Sequence, residues 1–242
     1  MHVLPVKTHR VGPDDTLEGF LDHYLDEVKD GDVVALTSKV LSILQGRLVP
    51  IDGVSRQDLI IQEADAYLAP TKSVTLTLKE GVLIPWAGID ESNAFGSYVL
   101  YPLDIPQAME RIWMHLKTKH QLKALGVILT DSRSTPLRRG TTGVCLGWCG
   151  FDPLYSYIGQ QDLDGRPLQT TQSNLADGLA AAAVLAMGEG SEQTPLAILK
   201  DIPHITFLNR TPTPKERSQF QLSMDEDLYG SLLKSVPWTF KT

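Results

Sequence analysis

Three short apolar runs constrain this chain most: residues 33–36 (Val-Val-Ala-Leu), 125–129 (Leu-Gly-Val-Ile-Leu) and 196–199 (Leu-Ala-Ile-Leu). Each is too short for a buried helix and is flanked by turn or polar residues. Uninterrupted runs of that length read as strands covered on both faces. Segments with helical spacing lie between them. After Asp14, Asp15 and Thr16, which offer caps, apolar side chains recur at Leu17, Phe20, Leu21, Tyr24, Leu25 and Val28, and Gly31-Asp32 ends the pattern. Pro106 opens a second helix with Met109, Ile112, Trp113 and Leu116 on one face. Ser173 caps an alanine-rich helix reaching about Met187. Residues 55–68 and 225–236 also read as helices.

Strand signals complete the pattern. Residues 2–6 form a short strand. Val74, Leu76 and Leu78 alternate with polar residues, and Lys79-Glu80-Gly81 turns into residues 82–84, a hairpin signal. Residues 141–148 alternate, and Gly143 and Gly147 imply close packing or a bulge. Residues 151–172, rich in Asp, Gly, Pro and Gln, carry the weakest signal. The expected fold class is α+β (mixed α/β): mixed sheets with packed helices and at least one β-hairpin.

Composition narrows function. With 22 Lys and Arg against 29 Asp and Glu the net charge is −7, the wrong sign for a nucleic-acid partner. The longest apolar run, residues 179–187, falls well short of the roughly 20 residues a membrane span needs. Residues 1–10 lack the apolar core of a signal peptide. Two cysteines make no disulfide framework, so a reducing, cytoplasmic location is expected. Cys145 and Cys149, four apart on a strand, should share a face and read as core, as do Trp113 and Trp148. The six histidines show no metal-ligand pairing.

Three acids fall at the ends of expected elements: Asp90 in Ala87-Gly88-Ile89-Asp90, Asp131 in Thr130-Asp131-Ser132, and Glu189 in Gly188-Glu189-Gly190. Carboxylates with an adjacent hydroxyl suit Mg²⁺ or Mn²⁺, which take oxygen ligands and keep phosphate in their shell. The plainer reading makes each acid a helix or turn cap. Arg133, Arg138 and Arg139 form a basic cluster just beyond Asp131, suited to phosphate or carboxylate or simply to solvent. Thr37-Ser38-Lys39 follows a strand and can hold phosphate, although no Walker loop is present.

In order and spacing, Thr37-Ser38-Lys39-Val40, Gln45-Gly46-Arg47, Ala87-Gly88-Ile89-Asp90 with Asn93, Thr130-Asp131-Ser132, Arg138-Arg139-Gly140 and Met187-Gly188-Glu189-Gly190 resemble the motif series of the coenzyme F420-0:gamma-glutamyl ligase family. The resemblance covers roughly residues 1–200. It implies one ligase-like unit over residues 1–242, with room for two intertwined subdomains and no visible boundary. It implies an NTP-dependent ligase acting as a homodimer on L-glutamate and a carboxylate-bearing acceptor. GTP or ATP would be the co-substrate, with Mn²⁺ or Mg²⁺ bound. Metal ligands would be Asp90, Asp131, Ser132 and Glu189, and nucleotide contacts Ser38, Lys39, Asn93, Gly188 and Gly190. Asp131, Arg138 and Arg139 would serve catalysis, the arginines clamping phosphate or glutamate.

The departures lie mostly toward the amino terminus. Ile43 stands for the family's phosphate-side lysine, Gln45 for a glutamate, Thr8-His9-Arg10 for a Gly-Leu-Pro loop, and Ser134-Thr135 for Gly-Arg. A changed wall around an unchanged acid set points to a changed acceptor. The pattern resembles most the family's branch assigned to folate metabolism, which implies a folate-type acceptor, with the deazaflavin F420-0 as the alternative. A phosphohydrolase and a non-catalytic nucleotide- and metal-binding module are the rival readings. We also expect Asp90, Asp131 and Glu189 to converge in one cleft.

Overall fold

The computed structural model describes residues 1–241. In chain order its elements are β1 (His2–Val6), α1 (Leu17–Tyr24), β2 (Asp32–Thr37), α2 (Ser38–Leu44), β3 (Leu48–Pro50), α3 (Arg56–Glu63), β4 (Ala66–Tyr67), β5 (Leu76–Lys79) and β6 (Val82–Pro85). A single-turn helix, Trp86–Gly88, precedes β7 (Ser97–Val99), α4 (Ile105–Lys119), β8 (Leu125–Ser134), β9 (Thr141–Cys149), β10 (Leu154–Ser156) and β11 (Gln172–Asn174). Then come α5 (Leu175–Met187), β12 (Leu196–Lys200), α6 (Pro214–Phe220), α7 (Gly230–Lys234) and β13 (Thr239–Phe240). Mixed sheets, packed helices and the β5–β6 hairpin make this the α+β fold expected.

The chain forms two compact units. The first comprises Met1–Arg10, Glu18–Thr37 and Ile105–Pro212. Its main sheet runs β1-β12-β2-β8-β9, with β2 and β8 parallel and the other neighbours antiparallel. The three apolar runs are its central strands, and Val33, Ala35, Leu129, Leu196 and Leu199 are fully buried there. The alanines of α5 let that helix approach closely. A Cβ on Gly143 would lie 2.3 Å from the carbonyl oxygen of Ala180, and one on Gly147 2.4 Å from Ile105 of α4. The two glycines thus meet helices on opposite faces of the sheet.

A bulge explains this. The β8–β9 register slips between Leu129 and Thr130, so that Leu129 opposes Gly147 while Thr130 opposes Cys145. The extra residue, Leu146, reverses the alternation of side chains. Cys145 therefore shares the face of Gly143, toward α5, and Cys149 that of Gly147. Neither cysteine is in a disulfide and both are buried, as expected, but they do not share a face. Burial, reinforced by the charge of Asp177, pushes the Cys145 thiol far up from its ordinary range. Trp113 and Trp148 are core, and the Trp113 indole donates to the Leu125 carbonyl at 2.8 Å.

The second unit comprises Val11–Leu17, Ser38–Asp104 and Thr213–Thr242. It holds the sheet β13-β4-β5-β6 and the ribbon β3-β7. Leu59, Ile60, Ile89, Tyr98 and Leu100 form a core cluster against which Trp86 packs.

Four boundaries differ from the sequence reading. Helix α1 stops at Tyr24, although Leu25 and Val28 are buried, so their spacing reports burial rather than helix. Ser55 does cap α3 by accepting from the Asp58 amide, but that helix ends at Glu63. The Asp65 amide turns instead to the Leu78 carbonyl at 2.9 Å and opens β4. Asn174, not Ser173, caps α5, accepting from the Asp177 amide at 2.9 Å. The carboxy-terminal helix shrinks to Gly230–Lys234. There Asp227 accepts from the Tyr229 amide (2.7 Å) and Glu226 from the Ser223 hydroxyl (2.8 Å), local bonds that compete with helix.

Candidate functional site

In the first unit the site residues gather at the end of the β8–β9 ribbon. Thr130 is fully buried and donates to the Leu36 carbonyl at 3.3 Å, tying β8 to β2. Asp131 and Ser132 follow at the mouth of the sheet, both half-buried. An Asp131 carboxylate oxygen accepts from the Ser132 amide at 2.8 Å. Register pairs Asp131 with Val144, Ser132 with Gly143 and Arg133 with Thr142. Alternation then sends Ser132 toward α5 and Asp131 with Arg133 to the other face. At the end of α5, Gly188 terminates the helix with φ 81°, and exposed Glu189 accepts from the Thr141 hydroxyl at 3.2 Å. Thr141 opposes Ser134, so Glu189 joins the face of Ser132. The Gly190 amide is taken by Glu192 at 2.8 Å.

The three arginines are not equivalent. Arg138 and Arg139 lie exposed at the turn joining β8 to β9, where Arg138 donates to the Leu137 carbonyl at 3.4 Å. Arg133 is half-buried on the strand itself. Its Nε is shielded from water and has no hydrogen-bond partner among the described residues. An unsatisfied buried donor costs about 1–3 kcal/mol, more when it is charged.

In the second unit the site forms around Asp90. Trp86, Ala87 and Gly88 take successive left-handed conformations, with φ of 56°, 54° and 70°. Such strain persists only where the surroundings impose it. Here the Thr75 carbonyl accepts from the Trp86 amide at 2.8 Å. The wholly buried Thr77 hydroxyl accepts from the Ala87 amide at 2.9 Å and donates to the Ile84 carbonyl at 2.5 Å. A Cβ at Gly88 would lie 2.6 Å from the Tyr101 ring, so the turn needs glycine for space as well as for φ. The chain leaves this turn into a bridge between Asp90 and Val99, with amide–carbonyl distances of 3.1 and 2.7 Å.

The Asp90 carboxylate then meets Lys39, at the start of α2, with 2.6 Å between Nζ and Oδ2. It also accepts from the Ser92 amide at 2.7 Å. Lys39 donates to the Ser92 hydroxyl at 2.9 Å as well. Burial raises the Asp90 pKa, but the hydrogen bonds from Lys39 and the Ser92 amide outweigh it and hold the carboxyl below the usual carboxylate range. Ser38 is buried beside Lys39, and Asn93 takes a left-handed φ of 56° just past the cluster. Ile43 points into the interior, only 4% exposed. It is a core residue of its helix rather than an apolar wall facing phosphates. Gln45 pairs with the backbone of Leu103 both ways, donating and accepting at 2.9 Å. A glutamate, which cannot donate, could make only half of that bridge.

The donors named for a metal are carboxylates and a hydroxyl, a hard-oxygen set that fits Mg²⁺ or Mn²⁺. The thiols that zinc would favour are buried on separate faces. Asp131, Ser132 and Glu189 belong to the first unit and Asp90 to the second, and within neither unit do three His, Cys, Asp or Glu side chains gather to hold a metal among the described residues. Sequence reasoning named both Lys39 and Asp90 but did not pair them. It missed Thr77, and it favoured Arg138 and Arg139 over Arg133. The i, i+2 spacing of Asp131 and Arg133 on a strand is the signal that was available for the last of these.

A family model described as F420-0:gamma-glutamyl ligase matches residues 5–201. Among curated proteins, the coenzyme F420:L-glutamate ligase of Methanopyrus kandleri is 29% identical, covering 95% of this chain and 97% of its own length. The enzyme of the same name from Methanococcus maripaludis is 31% identical over 76% of this chain and 81% of its own. That from Haloarcula marismortui is 30% identical over 79% and 83%.

Proposed function

The chain belongs to the F420-0:gamma-glutamyl ligase family, and from that premise we propose that it joins L-glutamate to the carboxylate of an F420-0-type acceptor at the expense of GTP or ATP. What supports this most is that the family match, residues 5–201, takes in every proposed site residue. The relatives' names favour the deazaflavin acceptor over the folate-type acceptor expected from the departures. The structure removes part of the ground for the folate expectation as well, because Ile43 is buried in the core of its helix.

A carboxylate is a poor electrophile. Transfer of the terminal phosphoryl group would turn it into an acyl phosphate. The glutamate nitrogen then attacks the carbonyl carbon and loses a proton. The bond to phosphate breaks, and inorganic phosphate leaves. A bound divalent cation would neutralise charge on the phosphate oxygens. Ser132 and Glu189 on one face of the β8–β9 ribbon, Asp131 on the other and Asp90 in the second unit would be cation ligands, but the register parts Asp131 from Glu189, so no single ion is assigned to all four. Ser38, Lys39 and Asn93 in the second unit, and Gly188 and Gly190 in the first, would be nucleotide contacts. Arg138 and Arg139, exposed and free to swing, would clamp phosphate or the incoming glutamate. Positioning and electrostatics would supply most of the acceleration. No described helix is long and apolar enough to cross a membrane. We place the enzyme in the cytoplasm as a homodimer, which size-exclusion chromatography with light scattering would test.

The decisive experiment offers purified protein L-glutamate, Mn²⁺, GTP or ATP, and either F420-0 or a folate. Mass spectrometry should find one added glutamyl unit on F420-0 only. Product from the folate alone would overturn the acceptor. Nucleotide hydrolysis with neither product would favour a phosphohydrolase.

A further inference from the structure

Arg133 is a charged side chain without a counterpart. It lies two residues beyond Asp131 on the same face of β8, opposite Thr142 of β9. Among the described residues its guanidinium makes no ion pair, and its Nε, shielded from water, donates to nothing. Arg56 also has a shielded Nε without a partner, but its guanidinium is paired with Glu91, whereas Arg133 has neither kind of partner, which leaves its charge to be met by a ligand. The ligand must be anionic, because guanidinium is always charged and has donors only. Its planar fork matches the paired oxygens of a phosphoryl group. Asp131 alone would repel a phosphate brought to this face, and Arg133 offsets that charge at the same place. Arg138 and Arg139, exposed at the turn, lose nothing when no anion is bound.

We propose, resting on the ligase reading above, that Arg133 is a phosphate-binding residue, its guanidinium holding the phosphoryl oxygens of the triphosphate beside Asp131. Being half-buried on a paired strand, it is preorganised, with little side-chain freedom left to lose on binding.

The test is calorimetric titration of the full chain, with Mn²⁺ present, by GTP, ATP and inorganic tripolyphosphate. Arg133→Gln should weaken tripolyphosphate and nucleotide binding by roughly tenfold or more, as expected for losing a charge-assisted hydrogen bond. Arg133→Lys, which keeps the charge and loses the fork, should fall between. Without ligand, Arg133→Gln should melt no lower than wild type, because the orphan donor is gone. Affinity equal to wild type in Arg133→Gln overturns the assignment and leaves the ligase reading standing. So does a lower melting temperature with unchanged affinity, or an insoluble Arg133→Gln beside an Arg133→Lys that binds like wild type. Wild-type protein that binds none of the three ligands overturns both the assignment and the nucleotide dependence of the reaction.

Discussion

Asp131 sits on a ten-residue strand, just past its pairing with β2 and still paired with β9, whereas Asp90 follows three residues held in left-handed conformation. The backbone ladder sets which face the first lies on, opposite that of Thr130 and Ser132. The second depends on side chains farther along the chain: Thr77 holds the turn, Tyr101 sets its space, and Lys39 meets the carboxylate, which also accepts from the nearby Ser92 amide. A functional group on regular structure tolerates change around it. One on a strained turn is coupled to the whole local core.

The strongest way to break this comparison is to remove each carboxylate. Asp131→Asn and Asp90→Asn should each lower ligase turnover by roughly a hundredfold or more, measured by glutamyl product formation. Asp131→Asn keeps a side-chain oxygen for the Ser132 amide and should change denaturant stability less. Asp90→Asn should lose about 1 kcal/mol as well, because Lys39 and the Ser92 amide lose a charged partner. Equal stability of the two variants would erase the distinction.

Next come the glycines. Gly143→Ala forces a Cβ against the backbone of α5, which cannot swing aside, and should cost about 3 kcal/mol or more in urea unfolding. Gly88→Ala meets a movable Tyr101 ring but adds left-handed strain, and about 2 kcal/mol is expected. A smaller effect is expected at Thr77. Thr77→Val keeps the shape and strands the Ala87 amide, costing about 1–2 kcal/mol and lowering Mn²⁺ affinity, while Thr77→Ser should restore both. Full Mn²⁺ affinity in Thr77→Val would show that Asp90 needs no support from the turn.

The smallest effect should lie on the surface of the first unit. The hydrogen bond from Arg111 holds the Glu18 carboxyl below its usual range, with 2.6 Å between Nε and Oε1. A folded pKa that is depressed contributes stability above the unfolded pKa, and that contribution is lost as pH falls through the folded pKa. Arg111→Ala should therefore be less stable than wild type at pH 7 by under about 1 kcal/mol. The difference should fade in parallel urea titrations as pH falls through the depressed folded pKa of Glu18. A difference that persists below that pKa would mean Arg111 contributes by packing rather than charge.

Much of the first unit was legible because its signals are local. The runs at 33–36, 125–129 and 196–199 are strands and Pro106 lies in the first turn of α4, and in the second unit the β5–β6 hairpin stands where its turn residues put it. Less of the rest of that unit could be read. The helix expected over residues 55–68 yields to strand pairing after Glu63, and the one expected over 225–236 to side-chain bonds with neighbouring amides. Neither unit shows a boundary in the sequence, since each is assembled from three separated stretches.

By itself, then, the sequence determined the strands and helices whose apolar residues repeat at the period of the backbone, and the ordered motifs of a gamma-glutamyl ligase. Tertiary structure decided where those residues face and what they touch. The extra residue in β9 reverses the alternation and parts Cys145 from Cys149, although spacing alone puts them together. Packing takes Ile43 into the core, and it brings Lys39 onto a carboxylate 51 positions away. It also separates Arg133, shielded and unsatisfied, from Arg138 and Arg139 in solvent. The physical reason is range. Periodicity and capping act over one turn of helix or one step of strand, so they are written locally. Facing, burial and ion pairing arise only when distant segments close on one another and exclude water.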